Sequence, residues 1–263
     1  MLSCGASPEL RQPLRGLQPG RFAESKNVGN FHPLKVSCIF MESLTKAIRA
    51  AGWQERIFSE AQLARLLDGS AQRRYNLVNR ALHGGELLRL RRGCYRLASA
   101  VSGSLPHPFV VAQALRPGSY VSLESALSFH GWIPEAVPVT LSILPGRRHD
   151  DALVPGLGSF QFWPLALHRG FFLEAVDRVQ LSGQAGLVAQ PLRALLDRFC
   201  LLKQDWPGLA ALTQDLRIDP EMILALRPDD LEHLRPLYRH GRMRSLIDAL
   251  QRELDSLPRG ALT

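Results

Sequence analysis

Apolar residues fall at helical spacing in Leu44, Ile48 and Ala51, and the run stops at Gly52. Ile57-Phe58 is a short extended segment. Ser59 is followed three residues later by Gln62, the spacing at which a serine hydroxyl caps a helix amide and the glutamine returns the bond. A second helix is therefore predicted through Leu63, Leu66 and Leu67, stopping at Gly69. Ser70 caps a third helix that runs to His83, where Gly84-Gly85 permits the left-handed turn that ends many helices. Leu87–Leu90 and Cys94–Leu97 read as two strands around Arg91-Arg92-Gly93, a hairpin with a basic tip.

The third helix separates apolar from polar positions. At about 100° per residue, Leu77, Val78, Ala81 and Leu82 share one side, while Gln72, Arg73, Asn76, Asn79, Arg80 and His83 fall mostly on the other. Arg74 lies toward the buried side, where it packs or caps. Along the hairpin, strand alternation turns Arg89 and Arg91 away from inward Leu88 and Leu90, with Arg92 at the tip. Three helices followed by a basic hairpin is the element order of a winged helix-turn-helix, here over residues 41–98. Arginine pairs bidentately with guanine and Gln or Asn with adenine, and a helix of this size enters the major groove. The candidate DNA-binding residues are therefore Gln72, Arg73, Asn76, Asn79 and Arg80 on the helix. Arg89, Arg91 and Arg92 join them for phosphate contacts or minor-groove insertion. Plain solvation is the rival account of such a polar face.

Residues 99–106 are rich in Ser, Gly and Ala and read as a linker. Helices are predicted over His107–Leu115, Leu123–His130 and Pro191–Leu202, the last with proline in its first turn, where the missing N–H removes no bond. Tyr120–Ser122, Val139–Leu144, Ser159–Trp163, Phe171–Ala175 and Val179–Leu181 are strand candidates, with Pro145-Gly146 and Pro155-Gly156 as turns. Residues 107–203 thus form a central α+β domain. From Asp205 the pattern is helical only, and the segments opened by Pro220 and Pro228 carry Glu221, Asp229 and Asp230 in their first turns. Leu231, Leu234, Leu237, Ile247, Leu250 and Leu254 supply the stripes of a helical bundle over 204–263. The fold class is α+β: an N-terminal winged helix-turn-helix, a central mixed α+β domain and a C-terminal helical bundle. Residues 1–40 show Gly and Pro without a period. They read as a flexible tail, or as sequence upstream of a true start at Met41, with a DNA-touching basic arm as the alternative.

Charge sharpens this division. The chain carries +8, yet residues 42–98 hold eleven Lys/Arg against five acids, and residues 99–263 hold sixteen against seventeen. Residues 1–41 hold five against two. A local excess of this kind is what neutralising backbone phosphates requires. No apolar run approaches the roughly 18 residues of a membrane span, and no signal-peptide stretch opens the chain, so the expected location is the cytoplasm, with no membrane partner. Cys4, Cys38, Cys94 and Cys200 are scattered without a CxxC pair, which argues for reduced cysteines rather than zinc or disulfides.

Catalytic chemistry is weakly represented. Ser122, Glu124, Ser125 and His130 are the nearest to a constellation, but no Gly-x-Ser-x-Gly surrounds either serine, and the spacing from Ser125 to His130 does not share a helix face. Asp150-Asp151 after Arg147-Arg148 reads as a solvated charged turn. The eight histidines lack HExxH spacing, and no phosphate-cradling glycine loop occurs. The expectation is a non-enzyme without cofactor or metal.

Tyr120-Val121-Ser122-Leu123-Glu124-Ser125-Ala126-Leu127 and then His130-Gly131-Trp132-Ile133-Pro134-Glu135 resemble the abortive-infection AbiEi family of antitoxins and related transcriptional regulators. Two further pieces are similar to that family: Leu87 to Leu97, which includes Arg91-Arg92-Gly93-Cys94-Tyr95, and Pro191-Leu192-Arg193-Ala194-Leu195-Leu196-Asp197. In the second, Leu192 stands for the family's acid and Arg193 for its lysine. The resemblance spans 41–202 and leaves the C-terminal helices uncovered. It implies an antitoxin of the type IV toxin-antitoxin class, whose winged helix represses its own operon at inverted repeats and which counters a nucleotidyltransferase-like toxin without a tight complex. A dimer on DNA fits that picture. For Glu124, Ser125, Trp132 and Asp197, hydrogen bonding and core packing are the competing roles. The competing functions are a stand-alone winged-helix regulator, a module whose basic face meets an acidic protein, and a nuclease targeted by the winged helix.

Overall fold

A helix over 44–50 (α1) buries Leu44 and Ile48 and turns back at Gly52, whose φ of +69° an L side chain rarely adopts. The computed structural model describes residues 44–257, and the tail expected over 1–40 lies outside them. β1 (Phe58–Ser59) leads into α2 (Glu60–Leu66), and both bonds of the capping box are present: Ser59 Oγ accepts from the Gln62 amide and Gln62 Oε1 from the Ser59 amide. Without its hydroxyl that helix end loses a partner, so Ser59→Ala is expected to lower stability by about 1 kcal/mol in urea denaturation. Ser70 Oγ accepts from the Arg73 amide and starts α3 (Ala71–His83), which ends at Gly84-Gly85. β2 (Leu87–Arg91) and β3 (Cys94–Leu97) form the hairpin, and β1 pairs with the other edge of β3, giving an antiparallel sheet of order β1-β3-β2. Ile48, Phe58, Leu63, Val78 and Leu97 are among the residues that close one hydrophobic cluster here.

The hairpin departs from strict alternation. Its register slips between Arg89 and Arg91, and the buried pair is Leu87 and Leu90, with Leu88 only partly covered. The irregularity reorients the strand so that Leu87 faces the N-terminal cluster and Leu90 the larger central one. Past β3, the Ser/Gly/Ala segment read as a linker contains a four-residue helix, α4 (Ser99–Ser102). Arg96 of β3, only 1% exposed, fastens it by donating to Ser99 Oγ, Ser102 Oγ and the Ser104 carbonyl. These partners are neutral, and burial lowers the Arg96 pKa.

The central sheet forms around two apolar helices. His107 caps α5 (Pro108–Leu115), its ring nitrogen accepting from the Phe109 amide. β4 (Tyr120–Val121), α6 (Leu123–Phe129), β5 (Val139–Leu144), β6 (Asp150–Val154), β7 (Gly158–Pro164), β8 (Val176–Leu181) and β9 (Gln184–Ala189) follow, then α7 (Pro191–Leu202). The strand order is β6-β7-β5-β4-β9-β8, with β4–β9 and β5–β7 parallel and the remaining pairs antiparallel. The fold is mixed α+β.

Three segments differ from the reading of the sequence. Phe171–Ala175 is a turn rather than a strand: Ala175 takes a positive φ of 52°, and Phe172 packs its ring 5.0 Å from that of Tyr120. The charged segment at Asp150 is a strand, paired antiparallel with β7 along its length, and Arg116 at the end of α5 pairs with Asp150 at the sheet edge. β9, for which the sequence reading predicts no strand, pairs along its length with β8 and runs parallel to β4.

α8 (Leu209–Asp215), α9 (Pro220–Leu224), α10 (Pro228–Leu234) and α11 (Gly241–Ser256) complete the described residues. Their stripe residues Leu231, Leu234, Leu237, Ile247, Leu250 and Leu254 are buried in the same cluster as the central sheet. That cluster also takes in Ile57, Leu90 and Cys94 from the N-terminal region. Gln184 of β9 acts there like a strand neighbour, accepting from the Ile57 amide at 2.6 Å and donating to the Ile57 carbonyl at 3.0 Å. No helix among the described residues is long and apolar enough to cross a membrane.

Cys94 and Cys200 are both free and buried. Burial raises the Cys94 pKa against the opposing charge of Arg91, and burial reinforced by Asp197 pushes the Cys200 thiol up to about 12. Thiol reagents at pH 8 are expected to leave both peptides unmodified in the folded chain and to label them in urea, as read by mass spectrometry. The unfolded Cys200 thiol ionises near its ordinary value of 9.0 while the folded one keeps its proton to about 12, so this group erodes stability as pH climbs through that window.

Candidate nucleic-acid interface

α3 is anchored by Leu77, Val78 and Ala81, and this fixes which side chains it displays. Gln72, Arg73, Asn76 and Arg80 are exposed, and Asn79 is half-buried. Gln72 Nε2 donates to Asn76 Oδ1 at 3.1 Å, which holds the two amides side by side. Arg73 reaches back to donate to the Asp68 carbonyl at 3.1 Å, and the His83 ring lies 2.7 Å from the Asn79 carbonyl. Both amides keep donors and acceptors for base edges.

The hairpin arginines divide. Arg89 and Arg92 are exposed and line a cleft of about 440 Å³ between α2, α3 and the hairpin. Arg91 is exposed as well, but its Nε donates to the Ala114 carbonyl at 2.5 Å, so its side chain ties the hairpin to the end of α5 instead of extending away as alternation predicts. The bulge accounts for the difference, since it turns the strand end toward the central region. Arg74 packs as expected on the flank of α3, half-buried and donating to the Gly69 carbonyl.

Two cleft residues escape the sequence reading. Tyr75 is 62% exposed where a helical aromatic ordinarily signals core, and Glu60 enters from the first turn of α2. The signal for Tyr75 is its place on the helical wheel, at the border between the apolar and polar sides. Glu60 has no local signal, because only the pairing of β1 with β3 brings α2 beside the hairpin.

Of the other candidate residues, Ser122 and Asp197 meet in the core. Asp197 is fully buried and accepts four hydrogen bonds: Arg193 Nε (2.9 Å) and Tyr238 hydroxyl (2.8 Å) at Oδ1, Tyr120 hydroxyl (2.9 Å) and Ser122 Oγ (2.8 Å) at Oδ2. Arg193 also donates to the Glu174 carbonyl and the Tyr120 hydroxyl. Burial pulls its pKa down, but Asp197 and the two tyrosines outweigh that and hold it above its usual value. Burial and the Asp197 charge raise both Tyr120 and Tyr238, which remain neutral donors. Ser125 Oγ accepts from the Leu141 amide and donates to the Val139 carbonyl, Glu124 accepts from Arg198 at 2.7 Å, and His130 Nε2 lies 3.0 Å from the Ala189 carbonyl. Each is engaged in joining elements, and no serine is placed on a histidine base among these bonds. Among the described residues, no group of three or more His, Cys, Asp or Glu is placed to hold a metal ion. No family model and no curated protein matches the chain.

Proposed function

We propose that residues 41–98 form a winged helix-turn-helix that binds duplex DNA, and that the chain is the antitoxin and autorepressor of a type IV toxin-antitoxin operon. The observation that carries the DNA reading is the exposed hydrogen-bonding face of α3 set beside the cleft arginines of the hairpin. Gln72, Asn76 and Asn79 supply base-edge donors and acceptors, and Arg73, Arg80, Arg89 and Arg92 supply guanidinium contacts to guanine or phosphate. Arg91 acts mainly by holding the hairpin in place. The net +6 of residues 42–98, against −1 for 99–263, supports the same assignment.

The antitoxin part rests on the strings around Tyr120–Glu135 and Pro191–Asp197, which resemble the AbiEi family. In this reading residues 107–203 form the central antitoxin domain, 204–263 form a C-terminal helical subdomain, and the protein works in the cytoplasm without catalysis or cofactor. Its partners are an operator with inverted repeats, bound as a dimer, and a nucleotidyltransferase-like toxin. A reporter driven by the protein's own promoter tests the first half, and co-expression with the adjacent gene tests the second. Repression of the reporter and rescue of growth from a toxic neighbour are the expected results. An unrepressed reporter removes the regulatory assignment, and a neighbour whose toxicity the chain leaves unchanged removes the antitoxin one.

A further inference from the structure

The cleft between α3 and the hairpin concentrates charge of one sign. Arg74 from the helix and Arg89 and Arg92 from the hairpin line it, against the single carboxylate of Glu60. None of the four makes an ion pair among the described residues. Guanidinium groups gathered around one cleft repel each other, and a polyanion laid between them relieves that repulsion. Tyr75, 62% exposed at the cleft's edge, adds a hydroxyl donor of the kind found at phosphate contacts. The amides of Gln72 and Asn76 do not line this cleft, whereas the half-buried Asn79 does. α3 therefore presents the amides of Gln72 and Asn76 on one flank and, on the other, a cationic groove lined also by Tyr75 and Asn79.

We infer that this cleft seats the sugar-phosphate backbone of one DNA strand, with Arg74 and Tyr75 as backbone contacts and Glu60 as a repulsive element that weakens the same contact. The inference rests on the DNA-binding reading and deepens it. It separates residues that grip any duplex from the outer face that reads one sequence. A carboxylate beside bound phosphates opposes binding, so its removal strengthens the grip. Glu60 thereby sets how tightly non-specific DNA is held, a quantity that affects discrimination when random sites far outnumber the operator.

Fluorescence anisotropy on the full chain tests this, with the promoter inverted repeat and a random duplex as probes and thermal melts to verify folding. Tyr75→Phe is expected to weaken binding to both probes alike, by about threefold to tenfold, the range of one ordinary solvent-exposed hydrogen bond. Glu60→Gln is expected to strengthen both by about two- to fivefold at low salt, the range of one exposed charge pair. A gain of affinity is not what structural damage at a helix end produces. Wild-type affinities for both probes in Tyr75→Phe and Glu60→Gln would overturn the assignment of the cleft while leaving DNA binding intact. Failure of the unmodified chain to bind either duplex overturns the DNA reading itself, and this inference with it.

Discussion

Asp197→Ala is expected to destabilise the chain by about 3–5 kcal/mol, the range for removing one partner of a buried ion pair. The substitution strands the fully buried Arg193 guanidinium and takes the acceptor from Tyr120, Ser122 and Tyr238 at once. These groups come from distant parts of the chain: β4, the start of α6, α7, and the segment after α10. Losing the carboxylate therefore loosens the join between the central sheet and the C-terminal helices, and the isolated bridge between Leu167 and Tyr238 should weaken with it. Urea denaturation followed by tryptophan fluorescence measures the loss. Tyr238→Phe provides the graded comparison, since it deletes one bond of the four and is expected to cost about 1–3 kcal/mol. A change below about 1 kcal/mol for Asp197→Ala would show that the network is not a main support of the fold.

The second large effect falls on recognition. Replacing Arg73, Asn76 and Arg80 together by alanine is expected to abolish preference for the promoter inverted repeat, a loss of at least about 10²-fold, because each well-made base contact contributes about 1–3 kcal/mol of discrimination. Residual binding to random duplex should persist through Arg89 and Arg92, which lie on the hairpin and are untouched. Alanine is a good helix former and the outer face of α3 is exposed, so the fold should survive. A triple variant that still selects the promoter sequence would move base reading to another surface.

The helices of the N-terminal region are legible because their signals are local. Ser59 with Gln62, Ser70 with the Arg73 amide, and Gly84-Gly85 each act within a turn of the residue they control. The same holds for Pro191 at the start of α7 and for the apolar stripes of α10 and α11. What sequence does not give is set by partners far along the chain. Asp150 reads as solvated until Arg116 is beside it, and the burial of Arg96 depends on α4 folding over it. Ala185, Gly186 and Ala189 weaken the strand signal of β9, which depends on pairing with β8. At the candidate interface, a helical wheel identifies the outer face of α3. The cleft, with Arg74, Tyr75 and Glu60 on its walls, exists only once the hairpin is docked. Arg91 is the instructive failure, since alternation points it outward and a register slip turns it to the Ala114 carbonyl.

Equilibrium binding of the full chain to its own promoter repeat and to random duplex across a salt series tests sequence-specific DNA recognition most directly. With Arg73, Arg80, Arg89 and Arg92 on phosphates or guanines, log affinity should fall linearly against log salt with a slope steeper than about −3, and the promoter should be preferred by at least about 10³-fold. Equal affinity for the two duplexes, or binding that salt leaves unchanged, would contradict the assignment of α3 and the hairpin as a sequence-reading surface.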